Sequence, residues 1–156
     1  MISRTGTHTL KALVALQQLP IGSFAGAEQL AHQIHAPSNY LGKLLQQIAR
    51  AGIVEGRKGR KGGFRLAGEG QTFSLFQALD PIEHFDRYNR CLLGRAKCLR
   101  TNPCPLHKGW ARIRKQYLDF LKSTTLSDLS QNETLDRRPK GGLNDRVERP
   151  NEGDVR

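Results

Sequence analysis

Three cysteines, Cys91, Cys98 and Cys104, are spaced C-x6-C-x5-C, and His107 follows three positions after the last. They are the only cysteines in the 156-residue chain. Thiolates ligate soft and borderline metals and hold iron–sulfur clusters, which usually take four ligands and accept histidine in place of a cysteine. Gly94, Pro103 and Pro105 in the spacers favour a loop that can wrap a cofactor. Arg90, Arg95, Lys97, Arg100 and Lys108 surround the thiols. Such cations lower thiol pKa values and offset the negative charge of a thiolate-ligated centre.

Other chemistries use the same residues. A Cys3His zinc site is physically reasonable, although the short C-x2–4-C knuckle of structural zinc is absent. Free thiols could sense oxidants through a disulfide or a sulfenic acid. Cys104 and His107 could form a nucleophile–base pair, but no third orienting group or oxyanion device accompanies them. Buried structural cysteines are the plainest alternative, and three of them in a polar, basic loop do not look like core. We therefore expect a metal or cluster loop at residues 91–107 and no enzyme.

The flanking elements must position that loop and give it an output. Residues 8–19 carry Leu10, Leu13 and Val14 along one helical stripe, and Pro20 and Gly22 end it. A second helix is predicted over 26–35. Pro37 then suits the first position of a third, where its missing N–H would be unpaired anyway. In that third helix Leu41, Leu44, Leu45 and Ile48 recur at i, i+3, i+4, i+7 and share a face. Asn39, Lys43, Gln46 and Arg50 cluster opposite them, with Ser38 and Gly42 at the flank. Gly52 fits a left-handed cap. Residues 53–57 and 63–67 read as two short strands around a glycine-rich turn, and Arg57, Lys58, Arg60, Lys61 and Arg65 crowd it. A solvated charge run would not explain this order of elements. Two short helices, a longer helix and a basic hairpin describe a winged helix-turn-helix, mainly α with a small β wing.

Ser74 can cap a fourth helix over 75–84, which holds Pro81 near its end. After the cysteine loop, Trp110, Ile113, Tyr117, Phe120 and Leu121 form an aromatic helical stripe, which we read as a dimerisation helix within 108–130. Residues 131–156 are too polar to bury much surface and are expected to be a disordered tail. The predicted units are thus 1–84 for DNA binding, 85–107 for the loop, 108–130 for the dimer and 131–156 for the tail.

Composition agrees with a polyanion partner. The formal net charge is +11 and the pI is about 10.1. The apolar run at 10–19 is broken by Lys11, Gln17 and Gln18, so neither a signal peptide nor a membrane span is expected. We expect a cytoplasmic protein, where stable disulfides are rare.

Several segments together resemble one family: Tyr40-Leu41, Ala51-Gly52-Ile53-Val54, residues 59–66 of the wing, and Asn102-Pro103-Cys104-Pro105-Leu106-His107. This is the Rrf-type winged-helix family of the iron–sulfur cluster regulator (IscR) and the nitric-oxide-sensitive repressor (NsrR), and the likeness covers residues 1–130. It implies a homodimeric, cytoplasmic transcription factor, usually a repressor, that binds a double-stranded operator and has no membrane partner. Its cluster, 2Fe–2S rather than 4Fe–4S in our reading, would set DNA affinity by sensing redox state, nitric oxide or iron–sulfur status. Cys91, Cys98 and Cys104 match the family's ligands. His107 matches the loop histidine that completes the set in some members, and His8 of the partner subunit matches the position used in others. We take His107 as the fourth ligand and His8 as the alternative. Ser38, Asn39, Tyr40 and Gln46 would approach base edges, while Lys43, Arg50, Arg57, Lys58, Arg60 and Lys61 would contact phosphate. Two departures stand out: the first spacer has six residues where relatives often have five, and Gly42 replaces an acidic base-reading side chain. Rival readings are a zinc- or thiol-based regulator on the same fold and a nonspecific basic nucleic-acid-binding protein.

Overall fold

The computed structural model describes residues 2–59, 62–68, 73–94 and 104–130. Its first helix, α1 (Arg4–Gln17), begins before the apolar periodicity does. Ser3 is the reason: its hydroxyl accepts from the Gly6 backbone N–H at 3.0 Å, satisfying one of the donors that a helix start leaves open. After α2 (Ala27–Ile34) the chain turns at His35 in the left-handed conformation. It then enters α3 (Ser38–Arg50), for which Pro37 is the N-cap and not the first helical residue. Leu41, Leu44, Leu45 and Ile48 are all buried, as their spacing predicts. Each such side chain withdrawn from water contributes about 1.5–3 kcal/mol. Gly52, at φ +76°, turns the chain out of α3 in a conformation that glycine adopts without a Cβ penalty.

The wing is an antiparallel pair, β1 (Val54–Arg57) and β2 (Gly63–Leu66), with Val54 opposite Leu66 and Arg57 opposite Gly63. It does not stand alone. Ala25, between α1 and α2, exchanges backbone hydrogen bonds with Phe64 at 3.0 and 2.8 Å. Gly63 is needed for this approach, because a Cβ there would run into the Ala25 carbonyl.

In α4 (Leu75–Glu83), Ser74 and Gln77 form a capping box, and Pro81 lies inside the last turn. The Gln47 side chain donates to the Pro81 carbonyl at 2.9 Å. This satisfies an acceptor at the end of α4 and ties that helix to α3. A 3-10 turn, Phe85–Asn89, follows where a loop was expected. After the loop come α5 (His107–Ser123) and α6 (Leu126–Ser130).

These last helices return to the chain's own core. Leu121 and Leu126 are fully buried in the cluster that holds Leu13, Leu79 and Phe85. The Leu75 N–H bonds to the Thr124 carbonyl at 2.8 Å, and the Leu126 N–H to the Phe73 carbonyl at 3.0 Å. The architecture is mainly α with a small β-hairpin wing, as expected. No helix among the described residues is long and apolar enough to cross a membrane. The expected tail, residues 131–156, lies outside the described residues.

Candidate nucleic-acid interface and cysteine loop

Ser38, Asn39, Lys43, Gln46 and Arg50 are exposed along α3, opposite the leucines that fix the helix to the core. Tyr40 is placed differently. Its half-buried ring packs on the core and meets His8 of α1 edge-on, with centroids 5.7 Å apart and planes at 71°. Gly42 lies beside α2, and a Cβ there would touch that of Ala27 at an ordinary 3.7 Å. In the wing, Arg57 and Lys58 are exposed, whereas Arg65 is paired with Glu55 at 2.6 Å. Arg60 and Lys61 lie outside the described residues.

The described ends of the cysteine loop are held together by α5. The Trp110 indole N–H donates to the Arg90 carbonyl at 3.3 Å, and its ring stacks on Tyr88 at 6.2 Å. Arg114 reaches the Tyr88 carbonyl at 3.5 Å. Cys91 therefore leaves the 3-10 turn next to the first turn of α5, which begins at His107. The entropy of closing a loop is thereby met by packing outside the loop itself. Cys91 is buried at 7% exposure, while Cys104 and His107 are half-buried. The His107 N–H bonds to the Cys104 carbonyl at 2.9 Å.

Among the described residues, no three His, Cys, Asp or Glu side chains gather closely enough to hold a metal. Cys98 lies outside them. The donor set nevertheless fits a thiolate-ligated cluster in its chemistry: two thiols and an imidazole sit at the two anchored ends of one loop.

His8 has its own signature. Its Nδ1 is buried and meets no hydrogen-bond partner. Burial, then the charges of Arg4 and Lys11, lowers its pKa. A neutral imidazole is the ligating form.

Sequence reasoning missed the joint between α1 and the loop. Glu83, at the end of α4, is 1% exposed. It accepts from the Ser3 N–H at 2.7 Å and from the Ser3 hydroxyl, and it pairs with Arg87 at 2.9 Å. Gly6 leaves room for it, since a Cβ there would collide with the carboxylate. Arg87 in turn lies over the Tyr88 ring at 5.2 Å. Tyr117 of α5 meets Tyr88 at 5.6 Å. Its phenol pKa is raised by burial first, with Tyr88 and Glu83 adding to the effect. Helix α4 ends at Glu83 and Arg87 lies in the 3-10 turn beyond it, so no helical spacing in the sequence announced the pair.

The family model described as "Rrf2: Iron-dependent Transcriptional regulator" matches residues 2–132. The chain belongs to the Rrf2 family. Rrf2 members are transcriptional regulators and not enzymes. An HTH-type transcriptional regulator of Aquifex aeolicus is 32% identical over 122 residues, covering 76% of this chain and 85% of that one. A regulator of the same description from Neisseria meningitidis serogroup A is 30% identical over 122 residues, covering 76% and 81%. Among solved structures, CymR, the global cysteine regulator of B. subtilis, superposes with a TM-score of 0.70 at 23% identity, covering 84% of this chain and 96% of that one. IscR of T. potens gives 0.68 at 20% identity, covering 90% and 93%. At these identities the two structures speak for the fold, which is the winged helix of Rrf2 regulators.

Proposed function

We propose that this Rrf2 regulator is a homodimeric repressor whose hold on its operator is set by an iron–sulfur cluster at Cys91, Cys98, Cys104 and His107. The observation that carries the reading is the anchoring of the loop. Trp110 fastens the first turn of α5 to Arg90, so two thiols and His107 belong to one structural joint. Bound there, the cluster would supply a redox- and nitric-oxide-sensitive centre, with the 2Fe–2S form preferred.

The chain's own residues would do the rest. Ser38, Asn39, Tyr40 and Gln46 face or approach base edges. Of these, Tyr40 has its ring committed to His8, which leaves the others as the main readers. Lys43, Arg50, Arg57 and Lys58, with Arg60 and Lys61, bind phosphate. The helix α5 carries the position of His107 to the dimer face. Ile113 and Phe120 are 59% and 54% exposed there, while Tyr117 and Leu121 pack inward. The alternative fourth ligand is His8 of the partner subunit, whose Nδ1 is buried within its own chain and would have to be uncovered to ligate.

Anaerobic purification with iron, zinc and sulfide analysis and a visible spectrum tests the reading. We expect a coloured protein with sulfide, and loss of the colour in each of Cys91→Ala, Cys98→Ala and Cys104→Ala. A colourless protein holding one zinc per chain and no sulfide would replace the cluster with a Cys3His zinc site. A normal spectrum in His107→Ala together with a lost one in His8→Ala would move the fourth ligand to the partner.

A further inference from the structure

The outer face of the wing carries a side-chain arrangement that charge alone does not explain. Residues two apart on a strand share a face, so Glu55 and Arg57 lie together, and Arg65 stands directly across from Glu55. The opposite face holds Val54, buried, with Phe64 and Leu66 half-buried against the core. Phe24 adds an aromatic ring to the charged face. The Arg65 guanidinium lies over it at 4.9 Å from the centroid, and that of Arg57 at 5.9 Å. Both distances are within the reach of a cation–π interaction. Phe24 is itself held in place, because its neighbour Ala25 makes the two backbone hydrogen bonds to Phe64.

The two arginines differ in their remaining freedom. Arg65 gives both Nε and Nη2 to Glu55 Oε2, at 2.8 and 2.6 Å, so its guanidinium is oriented within the hairpin. Arg57 is exposed and shares the ring with Arg65, but among the described residues no carboxylate pairs with it, which keeps its donors for a ligand. A guanidinium that is planar and stacked loses less conformational freedom on binding than one swinging on a solvated stem.

We infer that Phe24 is a positioning residue for DNA recognition: it holds the Arg57 guanidinium in a fixed place on the wing, with Arg65 and Glu55 as the brace. The inference rests on the DNA-regulator reading. Arg57 so held reads the shape and width of the adjacent groove and does more than add positive charge, since fixed arginines respond to local groove potential.

The test uses the full chain, a duplex enriched by it from a randomised pool, and the unenriched pool. Phe24→Leu keeps an apolar side chain but removes the π face. It should weaken binding to the enriched duplex by about three- to ten-fold, the scale of one or two cation–π contacts, and weaken binding to the pool less. Its dependence of log K on log salt should match wild type, whereas Arg57→Ala should lower that slope by about one. Phe24→Tyr should restore affinity. Arg57→Lys keeps the charge without the planar group; it should resemble Phe24→Leu, and the double variant should be no worse than either alone.

Wild-type binding by Phe24→Leu and Arg57→Lys overturns the inference. So does a reduced salt slope in Phe24→Leu, or additive losses in the double variant. If wild type enriches no duplex, the DNA-regulator reading falls and this inference with it. Enrichment by wild type with indifference at Phe24 removes this inference alone.

Discussion

Glu83 shows how one side chain can join two parts of a regulator. It is buried, it accepts from the N–H and hydroxyl of Ser3, the N-cap of α1, and its other oxygen holds Arg87 in the turn that leads to Cys91. In Glu83→Gln one oxygen still accepts from Ser3, but the charge that draws Arg87 is gone. Because Arg87 is half-exposed, the expected loss is at the modest end, about 1–2 kcal/mol in urea unfolding. An unchanged midpoint would mean the joint contributes nothing. Gly6→Ala should cost at least as much by forcing the carboxylate away. Its burial is a property of three elements meeting, and no local pattern encodes it.

At the scale of elements, α5 divides its apolar residues between two tasks. Tyr117, Leu118 and Leu121 face the chain's own core and Trp110 stacks on Tyr88, while Ile113 and Phe120 remain exposed. The sequence stripe merged these faces, because residues three and four apart sit side by side on a helix. In the proposed homodimer, Ile113→Asp with Phe120→Lys should leave far-UV circular dichroism intact and shift sedimentation from dimer to monomer. A dimer that survives both changes would remove this face from the interface.

The short α6 is set by Asp128, whose carboxylate accepts from the Thr125 N–H and hydroxyl, both at 2.8 Å. These bonds lower its pKa, the backbone one most. A carboxylate with a depressed folded pKa adds stability above its unfolded pKa of about 3.9, and that stability is lost as pH falls through the folded value. The stability gap between wild type and Asp128→Asn should therefore be full at neutral pH and close below about pH 4. A gap that stays constant to lower pH would show that these bonds do not favour the charged form.

For the whole molecule, one core binds the helices of the winged-helix fold to the elements flanking the loop. Loss of packing at Leu121 or Leu126 should therefore be felt in the winged helix itself. Leu121→Ala should cost about 2–5 kcal/mol, as large-to-small changes in a closed core do. It should lower protection of α1 and α4 amides in hydrogen exchange as well as those of α5. Protection lost in α5 alone would show that α5 is an appendage.

The winged-helix order, the buried face of α3, the glycine turns and the cysteine spacing were all legible in the sequence. Each is written in local periodicity or in residues with a narrow conformational choice, and together they carried the family. Only the tertiary structure decided which residues of α5 face inward, that Tyr40 turns to His8, that Phe24 lies under two arginines and that Glu83 is buried against Ser3. These depend on contacts between segments far apart in the chain, and a phenylalanine before Ala25 looks the same in sequence whether it meets solvent or two arginines. The thiols at Cys91, Cys98 and Cys104 were named by their chemistry. That the loop's described ends are drawn together by Trp110 follows from the packing of α5 on the turn before Cys91.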